Sequence, residues 1–135
     1  MLGKKKKRKV TQVDTLVGQH TVVSGDLNFT GGCHIDGKVI GNIISDDLDT
    51  SVLTVSDRGS IEGEVRVPYL ILNGTVIGNV YAYQHVELAA NARVEGNVYY
   101  NLLEMTMGAE VNGQLIHQLT GADEPLQLPG NEEEV

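Results

Sequence analysis

The side chains able to do chemistry in this 135-residue chain are few and widely separated. The histidines are His20, His34, His85 and His117, and the single cysteine is Cys33. A structural zinc site needs His or Cys ligands converging from fixed spacings. These residues show no such spacing, so the histidines read as surface or turn residues. Cys33 has no partner for an internal disulfide and reads as a small buried hydrophobe. No Cys-x-x-Cys, P-loop or Gly-x-Ser-x-Gly is present, and Gly31-Gly32 lacks the rest of a phosphate motif. The acidic residues, Glu62 and Glu95 among them, show no pair placed for acid–base work. The expectation is therefore a protein that is not an enzyme, with no catalytic, cofactor-binding or metal site and no small-molecule substrate.

The strongest chemical signal is electrostatic. Lys4, Lys5, Lys6, Lys7, Arg8 and Lys9 form an unbroken cationic run behind Met1 and Leu2, so residues 1–10 hold six of the ten basic residues. The formal net charge is −8, and residues 11–135, with four basic against eighteen acidic side chains, carry −14. Such asymmetry points to a basic segment with its own partner. Three partners fit. Residues 5–10 spell Lys-Lys-Lys-Arg-Lys-Val, which matches a nuclear-import peptide. A basic run can also contact nucleic-acid phosphates. Or it can bind an anionic membrane at about 1 kcal/mol per basic residue, with Met1 and Leu2 entering the interface.

The rest of the chain is organised by one short repeat: aliphatic, any residue, Gly, polar, aliphatic. Six copies centre on Gly25, Gly41, Gly63, Gly78, Gly96 and Gly113. Successive gaps are 16, 22, 15, 18 and 17 residues. Two residues before each glycine stand Val23, Val39, Ile61, Val76, Val94 and Val111. Two after it stand Leu27, Ile43, Val65, Val80, Val98 and Leu115. Eight before it stand Val17, Cys33, Val55, Leu70, Leu88 and Met105, which would align Cys33 with Leu70 and Leu88. Four before it every residue is small: Thr21, Gly37, Gly59, Gly74, Ala92 and Ala109.

Apolar and polar residues alternate across the unit, as in a strand with one buried face. The glycine shares the inward face with its aliphatic neighbours and marks a tight bend or close approach at a coil corner. A period of about 18 residues is too short for a helix–strand unit and fits one turn of a three-strand β-solenoid. Val23, Val39, Ile61, Val76, Val80, Val94 and Val98 are the expected core. Aromatic residues are 4% of the chain and Trp is absent, which suits a thin aliphatic core.

Three domains of organisation follow: a basic disordered segment at 1–14, a β-helix at 15–118, and an acidic, Pro-containing disordered segment at 119–135. Residues 44–51, with Asp46, Asp47 and Asp49, account for the gap of 22 and read as a loop at a corner. Pro68 should stand at a strand start or corner. Tyr81 and Tyr99 share an outward offset, with Tyr83 and Tyr100 nearby, giving either a stacked ladder or a lateral contact surface. No stretch approaches a transmembrane helix and no apolar region follows the basic start, so the expectation is a cytosolic chain.

The six units resemble those of the bactofilins, polymer-forming bacterial cytoskeletal proteins. The resemblance rests on Val23-Ser-Gly-Asp-Leu27, Ile35-Asp-Gly-Lys-Val39-Ile-Gly-Asn-Ile43, Ile61-Glu-Gly-Glu-Val65, Val76-Ile-Gly-Asn-Val80, Val94-Glu-Gly-Asn-Val98 and Gly108-Ala-Glu-Val-Asn-Gly-Gln-Leu115. It implies a right-handed triangular β-helix of about six coils that polymerises end to end without nucleotide. It also implies filaments on the inner face of the cell membrane that position cell-wall or chromosome-segregation proteins. An apolar-then-basic start often anchors members of this family, and Met1, Leu2 and Lys4, Lys5, Lys6, Lys7, Arg8 and Lys9 match it. The family often carries a Phe in the inner row of the last coil, where this chain has Val111; the one Phe is Phe29, in the first coil.

Open strand edges at the two ends of a solenoid must be capped or shared. The expected end contacts are Leu27 and Phe29 at one end, and Val111 and Leu115 at the other. Two other classes remain at this point: a left-handed hexapeptide-repeat acyltransferase, whose coils hold close to 18 residues, and a nucleic-acid binder acting through the basic run.

Overall fold

A computed structural model of the chain describes residues 12–118. The basic run and the segment at 119–135 lie outside the described residues. Among the described residues every regular element is a strand, and no helix is long and apolar enough to cross a membrane.

The strands form six stacked coils, each with three faces. One face stacks β1 (Thr15–Val17), β4 (Gly32–Ile35), β7 (Val52–Val55), and then the C-terminal halves of β9 (Val65–Leu72), β11 (Val80–Leu88) and β13 (Val98–Met105). The second stacks β2 (Val22–Ser24), β5 (Lys38–Ile40), β8 (Ser60–Glu62), β10 (Thr75–Ile77), β12 (Arg93–Glu95) and β14 (Glu110–Asn112). The third stacks β3 (Leu27–Phe29), β6 (Ile43–Ser45), the N-terminal halves of β9, β11 and β13, and β15 (Leu115–His117). Every pairing is parallel. The chain is thus a β-solenoid with a triangular section, and the three long strands turn one corner without breaking. Pro68, which has no N–H to give a ladder, is buried at that corner in β9.

The core is a column of aliphatic side chains along the axis. Val39, Ile61, Val76, Val80, Val94 and Val98 are all fully buried, and Val23, in the first coil, packs against them partly exposed. The reason is positional. An interior coil is covered above and below, whereas the first coil is covered on one side. Met105 shows the same effect at the other end, being 45% exposed in an inward column.

Two sequence expectations need correction. The Gly unit is not one strand. β2, β5, β8, β10, β12 and β14 stop before the glycine and the next strand starts two residues after it, so Gly and the polar residue form the corner. Cys33 shares a column with Leu70, as expected, but not with Leu88. It stacks with Thr15, Leu53, Leu70, Val86 and Leu103, while Val17, Ile35, Val55, Leu72, Leu88 and Met105 form the neighbouring column. The cause is the corner between the first and second strands of each coil. It takes four residues in four coils and two residues, Asp36-Gly37 and Asn73-Gly74, in the others. The four-residue corners close with a bond between first carbonyl and fourth N–H, as from Thr21 to Gly18 at 3.0 Å and from Gly59 to Ser56 at 2.8 Å. Counting back from the glycine across a short corner therefore lands two residues too early.

The glycines at the other corner are required by stacking. Gly41, Gly63, Gly78 and Gly96 have φ between 146° and 153°, and a Cβ on any of them would run into the carbonyl of the glycine one coil before. Gly25 has φ 122° but faces open space. Gly25→Ala should therefore cost about 1–3 kcal/mol of backbone strain, and Gly63→Ala distinctly more. Urea denaturation of the two variants tests this, and equal losses would show that the stacking contact is not limiting. Val80→Asp places a charge in the dry column and should cost more than about 4 kcal/mol; a wild-type melting temperature for that variant would refute the column assignment.

Candidate functional site

The outer surface is built from ladders, because parallel stacking brings equivalent residues of successive coils side by side. The polar residue after each glycine makes one of them. Asp26 Oδ1 accepts the backbone N–H of Asn42 at 3.0 Å, and Asn42 Oδ1 accepts that of Glu64 at 2.9 Å. Asn79 Oδ1 accepts from Asn97, and Asn97 Oδ1 from Gln114, both at 3.0 Å. A short amide or carboxylate is the right length for this bond. The sequence reading places these residues on the outward, polar side of a strand and assigns them no bond; the recurrence of Asp or Asn at one offset is the available signal.

A second ladder runs up the third face. The rings of Tyr81 and Tyr99 lie 4.6 Å apart and 3° from parallel. The guanidinium of Arg66 sits 4.2 Å from the centre of the Tyr81 ring, donates to Tyr83 Oη at 3.5 Å, and pairs with Glu64 at 3.1 Å. The ring faces are thus turned toward each other and toward a cation, as a stacking ladder requires. Burial raises the Tyr81 hydroxyl above its ordinary pKa, with the neighbouring Tyr99 and Glu64 adding to it and Arg66 opposing it.

The titratable residues do not converge. His34 pairs with Asp36 at 3.0 Å, His85 with Glu104 at 3.2 Å, His20 meets Gln19, and His117 tilts against Tyr100. No group of His, Cys, Asp or Glu able to hold a metal occurs among the described residues. Asp36 is held below the usual carboxylate range by a hydrogen bond from Ser56, with help from His34 and Arg58. Cys33 is buried, and burial pushes its thiol up to about 11. The acidic stretch is a corner loop of residues 46–51, since Ile44 and Ser45 belong to β6. Asp47 organises it, accepting from Asp49 N–H at 2.9 Å and from the Thr50 hydroxyl at 2.6 Å.

The ends differ from the sides. Among the described residues, β1, β2 and β3 at one end, and β14, β15 and the second half of β13 at the other, pair on one side alone. Leu16 and Val22 are exposed at the first end, and Leu102, Met107 and Leu115 at the last, with Met107 at 92%. Of the four expected end-contact residues, Leu115 is exposed, Leu27 and Val111 are half-buried, and Phe29 is buried in the core. Leu16, Val22 and Leu102 adjoin His34, Lys38 and His85 in the neighbouring coil, and Met107 stands in the corner before β14, outside any paired column, so the apolar repeat does not single them out. The residues expected to touch a membrane, 1–9, lie outside the described residues.

The family model that matches, described as polymer-forming cytoskeletal, covers residues 15–116, nearly the whole stack of coils. The chain belongs to the bactofilin family. It is 28% identical over 116 residues to bactofilin BacP of Myxococcus xanthus, covering 86% of this chain and 45% of that protein. It is 28% identical over 109 residues to bactofilin BacO of the same organism, covering 81% of this chain and 83% of that one. This bactofilin therefore spans less than half the length of BacP. No solved structure matches it.

Two predictions concern the ladder and the thiol. Asn97→Ala leaves the Gln114 N–H unpaired and should cost about 1 kcal/mol, while Asn97→Asp keeps the acceptor and should cost less; thermal denaturation separates them. Cys33 should resist a thiol reagent at neutral pH until the stack opens. Because its folded pKa is raised, its contribution to stability is complete below the ordinary value of 9.0 and is lost as pH rises toward about 11. A Cys33→Ala variant should lose less stability than wild type across that window.

Proposed function

We propose that this bactofilin builds filaments by joining the end coils of successive rods, and that its basic segment holds those filaments on the inner, anionic face of the cell membrane. There they serve as a scaffold that positions cell-wall or chromosome-segregation proteins. The observation that carries the assembly reading is the pair of terminal coils, with single-sided strands and clustered apolar side chains. Unpaired strand edges next to exposed apolar groups are favourable contacts for another copy. A polymer-forming family supports self-association. The membrane reading rests on charge: a local +6 set against −14 for the remainder of the chain. Six cations supply at most about 6 kcal/mol at an anionic surface before salt screening. One segment is a marginal anchor, and many along a filament act together.

Leu16→Asp and Leu115→Glu change exposed end residues, so both should leave the rod folded and shorten filaments seen by negative-stain microscopy. Phe29→Asp is a poorer probe, since that side chain packs in the core. Unchanged filaments from both exposed-site variants would overturn the end-coil contact. Removing residues 1–9 should leave filaments intact and abolish their pelleting with anionic liposomes. Leu2→Ser should weaken pelleting with all charges retained. Truncated filaments that still pellet at physiological salt would place the anchor elsewhere and reassign the basic run to nucleic acid or protein.

A further inference from the structure

Asn-Gly is the dipeptide in which an asparagine side chain is most open to attack by the following backbone nitrogen, because glycine offers no Cβ to obstruct it. The chain has two such pairs, Asn73-Gly74 and Asn112-Gly113. They stand in opposite settings. Asn73 lies in an interior coil, its Oδ1 accepts the Asn91 N–H at 2.9 Å, and Gly74 is buried against the carbonyls of Ser56 and Gly59. Asn112 ends β14, the last strand of its sheet, and both Asn112 and Gly113 are exposed.

The nucleophile differs as well. Gly25, Gly41, Gly63, Gly78 and Gly96 each donate their N–H to a carbonyl of the next coil, at 2.8–3.1 Å. The last of these acceptors is Asn112 itself. Among the described residues no coil follows Gly113, its N–H has no acceptor and the Asn112 side chain has no hydrogen bond. Strand β14 is held from one side only, so it opens more readily than any interior strand.

We propose that Asn112 is a site of spontaneous deamidation that ages the last coil. The Gly113 nitrogen loses its proton to solvent base and bonds to Asn112 Cγ, and the side-chain nitrogen leaves as ammonia. The resulting five-membered imide then takes up water at either carbonyl, giving aspartate or isoaspartate. The sum is amide plus water to carboxylic acid plus ammonia, with no oxidant or reductant. The new carboxylate stands beside Glu95 in the same outer column and two residues from Glu110. The isoaspartate form also lengthens the backbone of β14 by one carbon. Both outcomes disfavour a neighbour on that end. Resting on the end-coil reading above, the same contact would give Gly113 an acceptor and cover Asn112, so assembled rods are protected and free ends age.

The test is peptide mass mapping of the full chain after incubation in mildly alkaline buffer, with Asn73 as the internal reference. In dilute solution Asn112 should convert at least about tenfold faster than Asn73, since the latter must open an interior coil. Comparable conversion at the two positions would overturn the site. At concentrations where microscopy shows filaments, conversion at Asn112 should fall. Aged wild-type protein should form shorter filaments, while aged Asn112→Gln protein, whose longer side chain cyclises slowly, should not. Fast dilute conversion with no protection in visible filaments would keep the site and overturn its link to the contact. Fast conversion with no filaments at any concentration would overturn that link together with the end-coil reading.

Discussion

Everything in this molecule depends on the hydrogen bonds that each coil makes with the next. A coil of three short strands has no partner within itself for most of its backbone N–H and C=O groups, and leaving them unpaired in a dry stack is prohibitive. Stacking in parallel register satisfies them, and the corner bonds of 2.8–3.1 Å show that the ladder continues where the strands stop. The requirement propagates. If backbones must meet at every corner, the corner residue can carry no side chain, hence the column of glycines whose missing Cβ lies against a neighbouring carbonyl. If equivalent residues stack, each inner position becomes a column of its own along the axis, and in the interior coils these columns are almost wholly apolar, Ser45 and Ser51 being the buried polar residues.

The same rule constrains the outside. Identical charges in successive coils would stand about 4.8 Å apart along the whole rod. The chain interleaves them instead. One outer column of the second face reads Ser24, Ile40, Glu62, Ile77, Glu95 and Asn112, so its acids never touch. The neighbouring column supplies a cation diagonally, from Lys38 to Glu62 at 3.2 Å, and pairs its own Arg93 directly with Glu110 of the next coil at 3.4 Å. Such exposed pairs add little stability; their use is to let an acidic rod stack at all. Where two acids do adjoin, Glu87 and Glu104, His85 takes the second.

This explains what the sequence disclosed. The inner columns and glycine corners were legible because stacking repeats them at fixed offsets. Val39, Ile61, Val76, Val80, Val94 and Val98 were found by counting alone. The column of Cys33 was misplaced because a corner can take two or four residues at no cost to the ladder, and a count from one end cannot detect which. The amide ladder was only partly legible, since Asn42, Asn79 and Asn97 recur at one offset and Asp26 shares their acceptor atom, while Glu64 and Gln114 at the same offset interrupt the pattern. The apolar ends were hidden for a different reason. Leu16 and Leu102 look unremarkable in their columns, and they matter because, among the described residues, no further coil covers them.

A ladder of this kind has no internal stopping rule. Each interior coil is held on two sides, so the free energy of adding one more coil is nearly the same wherever it is added. Among the described residues the stack runs from the first copy of the unit to the last. The first and last coils keep the valence of interior ones on the side where, among the described residues, no other coil pairs with them. On the end-coil reading proposed above, a second copy would cover them in the same parallel register. The cost is that a free end is chemically more exposed than any other part of the rod. The backbone groups that would join a neighbour are the same ones left open to solvent and to fraying.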